Sequence, residues 1–150
     1  MSGTQAIQYL LRAEFSQDIA APLPASLPCD VGGPLTVVDT ENKLSQSGGK
    51  LVCAGGKASP EWGDPGLWGP AMARVTGRTA FVSVTPASGT FANFGFDTNT
   101  FGVSAPALTF ANPTALRAQF STSYSGVPVA TTVAGTPYLV ATVLRPQGAI

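Results

Sequence analysis

Residues 35–56 read LTVVDTENKLSQSGGKLVCAGG, and this stretch decides the class of fold. Leu35–Asp39 is short and β-branched, which suits a strand. Thr40–Lys43 has turn chemistry, with Asn and charged residues in a row. Lys43–Gln46 predicts a second strand ending at Ser47-Gly48-Gly49, and Lys50–Ala54 predicts a third, closed by Gly55-Gly56. Two short strands joined by a tight glycine turn are a hairpin. Neither glycine pair is a phosphate loop, because the Lys-Ser/Thr ending and the following helix are missing.

Downstream, the same alternation of short apolar runs and turn signals continues. Met72–Val75 and Arg78–Thr85 read as strands around a turn at Thr76-Gly77, and Thr90–Asp97 follows the turn at Ser88-Gly89. In that run, alternation puts Phe94 and Phe96 on one face and Gly95 on the other. Ala107–Phe110, Ala115–Ser121, Val127–Val133 and Pro137–Leu144 complete the set, with turns at Asn112-Pro113, Ser125-Gly126 and Gly135-Thr136. The near-continuous apolar run Tyr138–Leu144 predicts a strand covered on both faces. Residues 57–70 carry Pro60, Gly63, Pro65, Gly66, Gly69 and Pro70, and read as a loop with no regular element. Strands at this spacing predict an all-β chain, an antiparallel β-sandwich of jelly-roll or concanavalin-like type.

Upstream, residues 1–34 read as an N-terminal arm and connector, and 35–150 as the sandwich domain. The arm is extended or partly helical: Ala6, Ile7, Tyr9, Leu10, Leu11 and Phe15 keep no clean helical period. Pro22, Pro24, Pro28 and Pro34 then forbid a helix. Met1–Gln8 is polar and Ile7–Leu11 is too short for an export core, so a cytoplasmic site of synthesis is expected. No run approaches the roughly 18 apolar residues of a membrane helix.

Composition agrees. The 17 glycines and 13 prolines make a fifth of the 150 residues, which disfavours a helical bundle, while 44% hydrophobic residues can build a core. Only 11% of residues are charged, so the surface is polar but nearly uncharged. The formal net charge is zero, which argues against a grip on nucleic acid through its phosphates. There is no histidine, so Ser-His-Asp and Cys-His nucleophile systems are excluded. Cys29 and Cys53 are too few for a zinc site and read as two small buried apolar residues, expected as free thiols. No cofactor or metal is expected.

Candidate chemistry is sparse. Asp30, Asp39, Glu41, Asp64 and Asp97 are scattered acids. Paired carboxylates can run glycoside hydrolysis, but Asp39-Thr-Glu41 and Asp97-Thr-Asn99 sit at turns, where Asp bonds local backbone. The calcium-loop spacing is absent. Trp62, Asp64 and Trp68 form the one candidate ligand site: indoles stack on sugar rings and a carboxylate accepts hydroxyl hydrogen bonds. The competing reading has both indoles plugging the open end of the sandwich.

In order, these pieces with WGDPGLW (62–68), RVTGRTAFVSV (74–84), FGFDTNT (94–100) and GTPYLVATVLRPQGA (135–149) resemble a laminin-G-like or concanavalin-like β-sandwich module. Such modules occur in tail fibres and other structural proteins of bacteriophages and in large bacterial surface proteins. The resemblance covers roughly residues 15–150. It implies carbohydrate binding or an assembly role. Related glycanases carry Glu-x-Asp-x-x-Glu on a strand; here the only glutamates are Glu14, Glu41 and Glu61, and no such motif exists. The expectation is therefore a non-enzymatic structural component of a bacteriophage virion, capsid-associated, decoration or tail, partnered by its own copies or other virion proteins. Its assembly contacts are expected at Tyr9, Leu10, Leu11 and Phe15 of the arm and at Tyr138, Val140 and Leu144 of the last strand. That strand, over Pro137–Ile150, is expected to pair with another chain or with Ile7–Phe15 of the same chain. The alternative is a carbohydrate-binding module using Trp62 and Trp68, with a cell-surface glycan as partner.

Overall fold

The computed structural model describes residues 8–55, 64–73, 75–87, 92–96, 107–111, 114–119 and 127–144. Among these the chain is all-β, built of several small antiparallel sheets, with no helix. Its contacts divide it into two units, Met1–Ala71 and Met72–Ile150.

In the first unit, β1 (Ser26–Leu27), β2 (Leu35–Val38) and β5 (Gly66–Trp68) form one three-stranded sheet in the order β1-β2-β5. Leu27 faces Leu35, and Val37 faces Leu67. Side chains alternate between faces of a strand, so these four share one face and Thr36 and Trp68, directly paired, share the other. The hairpin β3 (Leu44–Ser47) and β4 (Lys50–Cys53) stands beside it. Its turn residues Gly48 and Gly49 hold φ 58° and 73°, the pair of left-handed conformations that a two-residue hairpin turn needs. The core is Leu23, Leu27, Leu35 and Leu44, with Leu27 only 1% exposed. Leu11, Ala13, Phe15 and Ile19 pack against it from the N-terminal segment.

That segment is extended over its described residues, not partly helical. Arg12 pairs with Val31 and Ile19 with Gln46 in isolated bridges. Leu11 reaches Gly32 and Gly69, where a Cβ would meet its side chain at 3.3 and 3.0 Å.

The second unit holds a four-stranded meander, β7 (Ala92–Phe96), β8 (Ala107–Ala111), β9 (Ala115–Gln119) and β10 (Val127–Thr131), in the order β10-β9-β8-β7. Pro128 cannot donate to a ladder, and it falls on the edge strand β10 beside a register shift between Pro128 and Ala130. The second sheet pairs β6 (Thr79–Val84) with β11 (Tyr138–Val143) over six residues. The pairing runs on through Leu144, whose N–H donates to Arg78 O at 2.8 Å.

Three sequence expectations need correction. Residues 57–70 do contain a regular element: β5 pairs with β2 because Leu67 supplies an apolar partner for Val37. The extended Pro-rich connector also holds β1, which overturns no expectation, since Pro24 and Pro28 flank rather than enter the paired residues. Met72, Ala73 and Val75 form no strand; Val75 instead opens the turn at Thr76-Gly77, its carbonyl accepting from Arg78 N at 3.1 Å. Strand β11 is covered on one face only: Val140 and Thr142 are buried while Leu139 is 77% exposed.

Candidate functional site

The first unit positions its acidic residues through turns. Asp39 ends β2, and its carboxylate oxygens accept from Lys43 N at 2.8 Å and Leu44 N at 2.7 Å, which starts β3. Asp18 accepts from Gly48 N at 2.8 Å and so clamps the hairpin turn. Asp30 accepts from Glu14 N at 2.9 Å. Asp64, 9% exposed, accepts from Thr40 Oγ1 at 2.6 Å and from Thr40 N at 3.1 Å. Every aspartate among the described residues thus holds backbone N–H, the turn role that Asp39 had in the sequence. Glu41 lies 3.7 Å from Lys43 Nζ. Asp97 and Glu61 lie outside the described residues.

Of the candidate sugar site, Trp62 lies outside the described residues. Asp64 precedes β5 and Trp68 is its last residue, and the two serve different ends. Both carboxylate oxygens of Asp64 face Thr40, so this group ties two loops together. Trp68 is half-buried on the face of the β1-β2-β5 sheet that carries exposed Ser26 and Thr36, away from the leucine core.

The expected assembly residues divide. Tyr9 and Leu10 are exposed, with the Arg12 guanidinium 5.5 Å from the Tyr9 ring centre and in turn paired with Glu14. That pairing raises the Arg12 pKa, first through the hydrogen bond its guanidinium donates to Glu14 and then through the Glu14 charge. Leu11 and Phe15 pack on the core of their own unit. In the second unit, Val140 of β11 and Leu144 just after it are buried, and Tyr138 takes a hydrogen bond from Val133 N on its hydroxyl at 2.8 Å. Two residues that the sequence did not single out stand open on the sheet: Leu139 at 77% and Phe81 at 58% exposure. Ala141 pairs with Phe81 and Leu139 with Ser83, so both side chains share the outer face.

Neither cysteine is fully buried. Cys29 is half-buried and Cys53 exposed, and both are free. Cys53 shares a face with buried Leu44 but sits at the end of a two-stranded hairpin, beyond the core, with its Sγ donating to Gly55 O at 3.2 Å. Burial pushes the Cys29 thiol above its ordinary pKa, so it holds less thiolate at a given pH. Iodoacetamide without reductant should label both thiols, Cys53 the faster. An intact mass lower by two thiol hydrogens, with no label taken up, would contradict this.

Among the described residues no group of three His, Cys, Asp or Glu is placed to hold a metal, and no helix is long and apolar enough to cross a membrane. Compared with protein-family models, curated proteins and solved structures, the chain matches none.

Proposed function

We propose that this chain is a non-enzymatic structural protein, a bacteriophage virion component that works by assembling with copies of itself. The observation that carries the reading is the β6–β11 sheet. It is two strands wide among the described residues, and its outer face presents Phe81 and Leu139 to solvent. An apolar strand with an open edge is a template for another strand. In this reading a second copy pairs with the edge of β11 that meets no strand among the described residues, covers Leu139, and completes a β-sandwich of jelly-roll or concanavalin-like type. The aspartates support it from the other side, since those described are engaged in holding turns. The resemblance to phage structural modules supplies the setting.

Hydrogen exchange tests the reading. The β11 amides not bonded to β6 should exchange more slowly as protein concentration rises from micromolar to millimolar. Exchange that is independent of concentration would overturn it.

A second reading, a non-catalytic carbohydrate-binding module using Trp62 and Trp68, is favoured by one observation: Trp68 is on the open face of its sheet. A glycan array separates the two, because an assembly protein gives no signal that Trp68→Ala removes.

A further inference from the structure

In the first unit a hollow of about 140 Å³ opens between the N-terminal segment and the stretch Leu27–Asp30, and Gln46 of β3 also lines it. Phe15, Ile19 and Leu27 make its apolar wall, and Ser16, Asp30 and Gln46 its polar wall. Gln46 decides what the hollow is for. It is in phase with Leu44 on β3 and only 6% exposed. Its backbone N–H and C=O are both taken by Ile19, at 2.8 and 2.9 Å. Its side-chain carboxamide has no partner among the described residues. Buried polar groups are nearly always hydrogen-bonded, so an unpaired one that lines a hollow points to a ligand. One water needs roughly 10–15 Å³ of such space, so this hollow takes a group of about ten heavy atoms rather than a single water. Phe15 lines it while holding φ 50°, a conformation that bulky residues rarely adopt and that recurs at binding sites.

The lining also selects the chemistry. No Lys or Arg borders the hollow, and the nearby Arg12 is paired with Glu14, so a phosphate or carboxylate would meet the Asp30 carboxylate with no cation in the lining to hold it. A carboxamide both donates and accepts, a hydroxyl does the same, and a carboxylate accepts. That set matches neighbouring hydroxyls on a ring whose apolar face lies against Phe15. We infer that this hollow binds a single neutral sugar ring, held by Gln46, Ser16 and Asp30. It uses neither tryptophan and no residue of β6 or β11, so it stands or falls independently of assembly.

The test is NMR on the full chain, following the Gln46 side-chain NH2 signal. The probes are the methyl glycosides of glucose, galactose, mannose and N-acetylglucosamine at millimolar concentrations, with glycerol and acetamide as controls. At least one glycoside should shift that signal, and neither control should. Gln46→Leu should weaken the binding at least about tenfold. It should also melt no lower than the parent, because an apolar group of similar shape replaces an unpaired buried amide. The inference is overturned if no glycoside shifts the signal, or if acetamide or glycerol shifts it equally. It is also overturned if Trp68→Ala rather than Gln46→Leu removes the binding, or if Gln46→Leu melts clearly below the parent.

Discussion

Leu27→Ala should destabilise the first unit by about 3 to 4 kcal/mol, the largest effect expected of any single truncation in it. Leu27 is 1% exposed and is the most enclosed large side chain among the described residues. It sits where β1 meets Leu35 of β2, with Leu23 and Leu44 completing the cluster. Its strand is only two residues long, so little else holds β1 in place. Truncation would remove both the apolar burial and the contacts that the N-terminal segment makes on the cluster. For a unit of this size, 1 kcal/mol moves the melting temperature by roughly 4–8 °C, so a fall of more than about 12 °C is expected. Thermal unfolding by circular dichroism reads it. A loss of under about 1 kcal/mol would mean that Leu27 is not the centre of this core.

Gly32→Ala should cost about 2 to 3 kcal/mol and release the N-terminal segment. Gly32 holds φ +87°, and a Cβ there would lie 2.4 Å from the Leu10 carbonyl oxygen and 3.3 Å from Leu11 Cα. Those atoms are backbone, so the segment itself must move. Leu11 would then leave the core. Gly49→Ala is the control: its φ is +73° with nothing within 4 Å, so it pays the left-handed strain alone, about 1 to 2 kcal/mol. Urea titration gives both costs, and trypsin cleavage after Arg12 reports release of the segment. Equal costs for the two variants, with no faster cleavage, would show that the segment does not press on Gly32.

Much of this architecture was legible in residues 35–56. The Gly48-Gly49 turn, the β-branched β2 and the Asp39 turn all follow from local chemistry, and local chemistry is what one sequence carries. The strands β1 and β5 were hidden because each is short, lies among prolines and glycines, and exists through its partner β2 rather than through its own propensity. The open face of β11 was misjudged for a related reason. A continuous apolar run looks the same whether one face or both are covered, and only the pairing with β6 turns Val140 inward and Leu139 outward. For the candidate sites, the aromatic pair in WGDPGLW drew attention by composition, while Gln46 did not. Its significance lies in what surrounds it, and a Gln among strand residues carries no mark of a missing partner.

Sedimentation velocity on the full chain and on Leu139→Asp bears most directly on assembly through β11. Leu139 is 77% exposed, so the substitution should leave the fold within about 0.5 kcal/mol of the parent. It places a charge where a second copy would bury an apolar group. The parent should sediment as a multiple of its 15.3 kDa mass, and Leu139→Asp as the monomer with an unchanged melting temperature. A parent that stays strictly monomeric at millimolar concentration, or a variant that assembles as well as the parent, would contradict it.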